Sequence, residues 1–217
     1  MNYRLAKLKD LNSIVNLHYA VRKNYTVGIF ASLDRVFLKR YYRILLENVN
    51  FIMVCAQNDN GKLLGFCSST IDIEDQLRTL NKNKVSLGLS AIPSILKKPS
   101  IILSLISRFK SINNKGDQFI SKSGARLEYW VWSKDSDDSV SSLIMHEVLL
   151  NIVKSLGISE INFEVDTSNK NVLKFHKING AIELKKIFLE DDRERSLLKY
   201  SFMTRKTRVK LYNKQYI

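Results

Sequence analysis

Two apolar runs, at residues 51–57 and 63–70, do most to decide how this chain can fold. Both have the composition of β-strands, and the five residues between them are Asn58-Asp59-Asn60-Gly61-Lys62. Because Asn and Gly tolerate positive φ, this arrangement predicts a β-hairpin. The chain therefore contains at least one antiparallel strand pair, and the other elements must be placed around it.

Apolar residues elsewhere recur with the period of a strand or of a helix, which orders the remaining elements. Asp10 stands at the N-cap position of one helix, and Ser32 can cap a second. In chain order the pattern predicts a strand at 3–8, these two helices, the hairpin, a strand at 127–132, a long helix ending at Gly157, a strand at 160–165, a short helix at 172–177 and a hairpin of 182–188 with 197–202. This order predicts an α/β (α+β) fold, with one domain over 1–204 and a mixed, mostly antiparallel central sheet flanked by helices.

Residues 71–124 interrupt this order and predict a helical insertion between the third and fourth strands. The segment contains both prolines of the chain. An apolar stripe at helical spacing follows the second proline: Ile101, Ile102, Leu105, Ile106 and Phe109. The stripe can pack on its own domain, which we favour, on a partner, or at a membrane surface, because basic residues flank it over 97–110. Beyond the domain, the basic tail at 205–217 has no acidic residue, which predicts a solvated arm.

The composition limits what the chain can do. Its 217 residues, 45% of them hydrophobic, suffice for one buried core, and 35 Lys and Arg against 21 Asp and Glu give a net charge of +14. This charge favours an anionic partner, although solvated lysines explain it equally well. Cys55 and Cys67 are too few for a disulfide framework, no apolar run is long enough to span a bilayer, and the start lacks the apolar region of a signal peptide. We therefore expect a cytoplasmic protein with two reduced thiols.

Motifs of several other enzyme classes are missing from the sequence. No cluster of cysteines and histidines has metal-ligand spacing, and neither a Gly-rich Walker loop nor a G-x-S-x-G elbow is present. The sequence therefore predicts no metal site, no nucleotide hydrolysis at a P-loop and no α/β-hydrolase chemistry.

Three stretches of the sequence resemble a known family. These are YRLAKLKDLNSIVNLHYAV near the start, GIFASLDRVFLKRYYRILLE after it, and LGISEINFEVDTSNKNVLKFHKINGAIELKK after the long helix. Together they resemble the GNAT N-acetyltransferases over roughly residues 1–202, and the second stretch is similar to a subgroup found with surface-polysaccharide genes. The resemblance implies a single GNAT-like domain that transfers an acetyl group from acetyl-CoA to an amine, and it also allows a homodimer.

The resemblance further implies a cofactor site between two splayed central strands. The pantetheine arm would lie along the strand at 127–132, and the pyrophosphate would bind at the start of the helix at 139–156. Typical members have Q/R-x-x-G-x-G/A in that turn, where this chain has Asp137, Val140 and Ser142, so the motif is degenerate. The carboxylate of Asp137 or of Asp138 can cap the helix itself and would repel a pyrophosphate, while the nearby serines offer hydroxyl donors. The implied cofactor-binding residues are Val131, Trp132, Ser133, Asp138, Ser139, Val140, Ser141, Ser142, Asn169 and Phe175.

Candidate catalytic residues follow from the same resemblance. His176 stands where the family usually has the tyrosine that protonates the departing thiolate, and an imidazole can also donate a proton near neutral pH. Glu128 and His18 are candidate general bases, and Glu164 and Asp166 are further options. Each of these residues also has a purely structural interpretation, as does Asn169, which forms turns readily.

Three hypotheses for the function remain open. The first is acetyl transfer to an amine of a small, anionic metabolite such as an amino-sugar nucleotide, with an acceptor pocket formed by residues 22–30 and the loop near Glu190. The second is a GNAT-like binding or regulatory module that has lost catalysis, suggested by the acidic turn and by His176. The third, binding of nucleic acid by the basic segments, is not expected because no stripe of aromatic and basic residues is present.

Overall fold

The computed structural model describes residues 1–22, 29–103, 106, 123–189 and 193–209. Within them, seven strands form one sheet in the order β1-β2-β3-β4-β5-β7-β6. Every neighbouring pair is antiparallel except β4 and β5, which are parallel. The strands are β1 (Asn2–Leu5), β2 (Phe51–Gln57), β3 (Leu63–Thr70), β4 (Ala125–Trp132), β5 (Glu160–Asp166), β6 (Ile182–Phe188) and β7 (Glu194–Ser201). The predicted fold class, a mixed and mostly antiparallel sheet flanked by helices, is confirmed.

Helices cover both faces of the sheet. They are α1 (Leu11–Val21), preceded by a 3-10 turn (Leu8–Asp10), α2 (Ile29–Ser32), α3 (Arg35–Leu46), α4 (Ile73–Lys82), α5 (Lys84–Lys97), α6 (Ser139–Ser155) and α7 (Lys170–Ile178). Along β2, Met53 and Cys55 pack under α1 and α3, whereas Ile52 and Val54 pack against α6. These residues alternate between the two faces of the strand. Both faces of β2 are therefore apolar, and the strand is almost wholly buried.

The strongest local signals are confirmed at their predicted positions. The hairpin of β2 and β3 has Gly61 at φ +75°, and α6 ends before Gly157 at φ +83°, conformations in which glycine has no Cβ penalty. The cap predicted at Ser32 is wrong, whereas Asp10 lies at the N-cap position of α1, as predicted. Helix α3 begins after Asp34, not at Ser32, which ends α2. The carboxylate of Asp10 does not cap α1, because it accepts hydrogen bonds from Arg4, at 2.7 Å to each oxygen, and from the Lys7 amide.

The insertion between β3 and β4 is helical, as predicted. Its first two helices lie before the predicted apolar stripe in the chain. Helices α4 and α5 were not predicted from the sequence. Of the stripe at 101–109, Ile101 is buried against the α1–α3 side of the sheet, whereas Leu105 and Phe109 lie outside the described residues. No helix in the described part of the chain is long and apolar enough to cross a membrane.

The Arg205 side chain, at the start of the basic tail, is packed on the domain, which corrects the predicted solvated arm at this residue, whereas Lys206, Thr207 and Arg208 are exposed. The Arg205 guanidinium donates to both carboxylate oxygens of Glu147 on α6, at 2.8 and 2.6 Å, and both side chains are buried. Arg208 donates its backbone N–H to the Asn179 side chain. Residues 210–217 lie outside the described residues.

Candidate functional site

A gap opens in the middle of the sheet where β4 and β5 diverge. The two strands pair at Ala125 with Ile161 and at Arg126 with Asn162, and no later pair joins them in the described structure. Beyond that point β4 continues along β3 as far as Trp132, and β5 continues along β7 as far as Asp166. The two strands therefore enclose a wedge between 127–132 and 163–166, which is the splay that the sequence resemblance implied.

A β-bulge lies beside this gap. The partner of Cys67 on β4 is Trp130 and that of Ser69 is Leu127, so two residues of β4, Glu128 and Tyr129, face the single residue Ser68 of β3. The Tyr129 amide donates to the Ser68 hydroxyl at 3.3 Å instead of to the strand backbone. Bulges of this kind redirect side chains and are frequent beside active sites. Here the bulge directs Glu128 towards α4.

One side of the gap, facing α4, is charged. Gln76 of α4 donates its amide to the Glu128 carboxylate at 2.8 Å, and Arg195 of β7 donates to Glu164 of β5 at 2.8 Å. Burial, the largest single effect, would lower the pKa of Arg126, but the charges of Glu164 and Glu128 outweigh it and raise that pKa. The charged side therefore has carboxylates on both diverging strands, with a guanidinium that interacts with both.

A cluster of aromatic rings lies beside the charged side, under α1 and α3. His18 is buried there, with its Nδ1 2.6 Å from the Tyr42 hydroxyl and its ring 5.7 Å from that of Tyr129. The Tyr129 hydroxyl donates to that of Tyr41 at 3.1 Å. Burial, with a smaller effect of Arg22, lowers the pKa of His18 to about 4, so the imidazole is neutral at physiological pH and a weak base.

The opposite side of the gap, facing α6 and α7, is packed with aromatic rings and is almost free of charge. The Trp130 ring stacks on His146 of α6 with centroids 4.6 Å apart, and it contacts Phe175 of α7 at 5.2 Å. The indole N–H donates to the Ser142 hydroxyl at 2.9 Å. A pantetheine arm entering from this side would have to displace Trp130 or pass along its edge.

His176 of α7 is part of this dry side. It is buried, its ring lies 4.5 Å from that of Phe163, and its Nδ1 is 2.8 Å from the Tyr200 hydroxyl. Burial, with a smaller effect of Arg205, lowers the pKa of His176 to about 3. At pH 7 about one molecule in ten thousand carries the imidazolium form. His176 is therefore not favoured as the acid that protonates a departing thiolate.

The start of α6 is occupied by its own cap. Asp138 accepts a hydrogen bond from the Ser141 amide at 2.9 Å and another from the Ser141 hydroxyl at 2.5 Å. These two bonds, the hydroxyl first, lower the pKa of the Asp138 carboxyl, which is therefore charged at neutral pH. The turn in this conformation does not fit a pyrophosphate at the Ser141 amide, and Asp138 has to rotate away for an anion to bind there.

The other predicted cofactor-binding residues are spread around the gap. The Val131 side chain is buried towards α1 and α3, and the Trp132 ring lies over Gly65 of β3, so these two residues can face the gap with their backbone only. Ser133 is buried and donates its amide to the Leu64 carbonyl at 2.7 Å. Asn169 caps α7 by accepting from the Val172 amide at 3.3 Å, which satisfies its structural interpretation. Ser139 and Val140 lie exposed in the first turn of α6.

Two residues of the charged side were not predicted from the sequence. Gln76 belongs to a helix of the insertion, and its contact with Glu128 spans 52 positions of the chain, for which no local pattern exists. Arg126 precedes the predicted strand at 127–132.

The predicted acceptor pocket, residues 22–30 and the loop near Glu190, lies largely outside the described residues. In the described part of the chain no cluster of residues could hold a metal ion.

Several solved structures with the same arrangement of strands and helices are acetyltransferases. The ribosomal-protein-alanine N-acetyltransferase of Brucella melitensis matches with a TM-score of 0.58 and 12% identity, over 93% of this chain and 100% of that one. A GNAT-family acetyltransferase of Streptococcus pneumoniae matches with a TM-score of 0.57 and 13% identity, over 92% and 98%. A point mutant of the spermidine N-acetyltransferase SpeG of Vibrio cholerae matches with a TM-score of 0.55 and 11% identity, over 93% and 95%. The chain thus has the GNAT fold.

Comparisons of sequence add nothing to this likeness. No protein-family model matches the chain, and no curated protein matches it. With identities of 11–13%, the similarity to the solved structures concerns the fold, and residue roles must be argued from the geometry of this chain.

Proposed function

We propose that this protein is an acetyl-CoA-dependent N-acetyltransferase that acts on an amine of a small metabolite. The observation that carries the proposal is the gap between β4 and β5, with the bulge that directs Glu128 towards its charged side. A strand edge released from its partner can hydrogen-bond the amides of an extended cofactor arm, as a strand would. A carboxylate next to that edge can accept the proton of an attacking amine.

Glu128 is the base in this proposal, and Gln76 is its positioning residue. Attack of the amine on the thioester carbonyl forms a C–N bond and breaks the C–S bond. The amine proton passes to the Glu128 carboxylate, directly or through a water. Glu128 then releases this proton to solvent, and the departing thiolate takes up one proton from solvent, so the products are the amide and the free thiol. The Gln76 amide holds one carboxylate oxygen at 2.8 Å, which also restricts the orientation of the second oxygen. His18, under α1 and α3, and His176, on the side of α6 and α7, have packing roles in this proposal.

The acceptor we propose carries negative charge in addition to its amine, and an amino-sugar nucleotide fits this description. Support comes from Arg126 and Arg195 at the charged side and from the net charge of +14. The similar structures include an enzyme for a ribosomal-protein alanine and one for spermidine, so the fold accommodates acceptors of different chemistry.

A GNAT-like binding module without catalysis is the alternative. One observation speaks for it: the Asp138 carboxylate occupies the Ser141 amide at the place where a cofactor pyrophosphate would bind. We favour the enzyme, because a catalytically silent module has no need of a carboxylate held beside the open strand edge.

Calorimetry with acetyl-CoA, followed by thiol release with a panel of amines, tests the proposal. We expect binding by the wild type and turnover with at least one amine that also carries phosphate. Glu128→Gln should bind acetyl-CoA like the wild type and lower kcat by about 10²-fold or more, most strongly below the pKa of the amine. Glu160→Gln is the matched control, because that carboxylate lies at the solvent-exposed start of β5 and pairs with Lys199. Absence of acetyl-CoA binding at millimolar concentration contradicts the proposal, and binding without turnover supports the alternative.

A further inference from the structure

Helix α5 presents four large apolar side chains to solvent. Val85, Leu89, Ile92 and Leu96 follow one another at spacings of four, three and four residues and are 69%, 62%, 44% and 78% exposed. At 100° per residue these positions fall within an arc of about 60°, and at 1.5 Å per residue they extend over about 16 Å. We call these four residues the α5 stripe.

The opposite face of α5 packs on the domain. Ser90, Ala91 and Ser94 are buried there, and Leu87 and Ile95 pack beside them against the core. An ordinary surface helix exposes polar residues, so the four exposed apolar residues of the α5 stripe depart from that pattern. Rotating the helix to bury the α5 stripe would remove Leu87 and Ile95 from the core.

Hydrogen bonds from α3 and its N-terminus hold this orientation. The Ser94 hydroxyl accepts from the Asp34 amide at 2.7 Å, and the Ser86 hydroxyl accepts from the Arg40 guanidinium at 2.7 Å. Arg40 also donates to the Asn83 side chain at 3.1 Å, immediately before α5. Lys97, at the far end, forms an ion pair with Asp34. Both ends of α5 are thus tied to α3 in a geometry that keeps the α5 stripe outward.

The chain segment that contains α5 carries charge of one sign, and Asp34, which pairs with Lys97, is an acidic residue beside the end of the helix. Residues 76–116 contain eight Lys and Arg and no Asp or Glu. Of these cations, Lys82 and Lys84 lie exposed at the start of α5, and Lys98 lies exposed just after its end. If two copies of the chain paired through the α5 stripe, lysines would face lysines in the parallel and in the antiparallel orientation, with no acidic residue of the segment to pair with them. An anionic surface meets no such repulsion.

We infer that the α5 stripe is a docking surface for an anionic lipid bilayer, with the four apolar side chains inserted between headgroups and the flanking lysines on the lipid phosphates. An exposed apolar stripe with basic residues at its ends is the arrangement that binds at a membrane interface without spanning the bilayer. This role is independent of acetyl transfer and does not require it.

Sedimentation with phosphatidylcholine vesicles, with and without phosphatidylglycerol, tests the inference. We expect the full chain to sediment with vesicles that contain phosphatidylglycerol, more weakly at high salt and weakly with phosphatidylcholine alone. The double variant L89S/L96S should partition about a hundredfold less, because each leucine accounts for about a tenfold change when it leaves water. The control variant V49S removes an exposed apolar residue that lies between α3 and β2, and it should bind like the wild type.

Thermal unfolding of all variants shows that the fold is retained, which we expect because the substituted residues are exposed. A second control, K210Q/K214Q, removes charge from the tail and should leave most of the binding in place. Three results overturn the inference. The first is a wild type that does not bind the anionic vesicles, and the second is binding that L89S/L96S leaves unchanged. The third is a wild-type oligomer that L89S/L96S converts to a monomer, which would assign the α5 stripe to a second copy of the chain.

Discussion

Asp138 provides the sharpest test of how this chain accommodates a cofactor, because its carboxylate has two opposing effects. It caps α6 through the Ser141 amide at 2.9 Å, and an N-cap of this type stabilises a protein by about 1 kcal/mol. The same negative charge lies where a pyrophosphate would approach the helix start. Removing the carboxylate should therefore weaken the fold and strengthen acetyl-CoA binding at the same time.

The size of the second effect follows from Coulomb's law. Asp138 is exposed, so the dielectric constant of water applies to its charge. Its repulsion of about two pyrophosphate charges at about 5 Å is then about 2 kcal/mol. Physiological salt reduces this repulsion to about 1 kcal/mol. We expect Asp138→Asn to tighten acetyl-CoA binding by about fivefold at physiological salt and more at low salt. Since Asn is also a good N-cap, this variant should lose little stability, whereas Asp138→Ala should lose about 1 kcal/mol.

Calorimetry at two salt concentrations and urea unfolding measure the two quantities separately. Asp137→Asn is the matched control, because it makes the same change in net charge one residue away, where the side chain does not cap α6. It should change the affinity less than Asp138→Asn does. If Asp138→Asn binds acetyl-CoA as well as or less well than the wild type, the carboxylate does not oppose the cofactor, and the placement of the pyrophosphate at this turn is wrong.

Two predictions concern stability. Burial depresses the pKa values of His18, His146 and His176, so their stabilising contribution is complete above the unfolded pKa of about 6.5 and is lost as pH falls towards the folded values; at pH 5 the loss from His18 and from His176 is about 2 kcal/mol each. Urea unfolding at pH 7.5 and pH 5 should show this loss, and His146→Phe should reduce it; an unchanged loss would contradict the assignment. Glu147→Ala should destabilise the protein by about 3–5 kcal/mol, because it leaves Arg205 buried and unpaired, and a loss below about 1 kcal/mol would show that Arg205 escapes to solvent.

The parts of the fold that could be predicted are those with signals inside a few residues of sequence. Gly61 in a five-residue turn specifies the hairpin, and Asp138 and Gly157 mark the two ends of α6. Each signal acts through the backbone conformation of its own segment, so distant residues do not change it. Ser32 and Asp34 show the limit of such signals, because both are good N-caps two positions apart and only the packing of α2 decides between them.

The parts that could not be predicted depend on contacts between distant segments. Gln76 reaches Glu128, and Arg205 reaches Glu147, through contacts between segments more than 50 residues apart. Helix α5 has apolar residues on both its inward and its outward face, and hydrogen bonds to α3 contribute to the rotation that leaves four of them exposed. No spacing of residue types contains this information.

The two sides of the β4–β5 gap differ in their charged groups, and this difference supports the proposed roles. On the side of α6 and α7, burial lowers the pKa of His176 to about 3, so this imidazole is neutral near pH 7. On the side of α4, carboxylates from both strands lie close to Arg126, whose pKa their charges raise. In the reaction that we propose, an amine that must lose a proton before attack approaches from the α4 side. The dry side would then exclude water from the thioester, and Glu128, beside the bulge, is the carboxylate that we expect to take the proton.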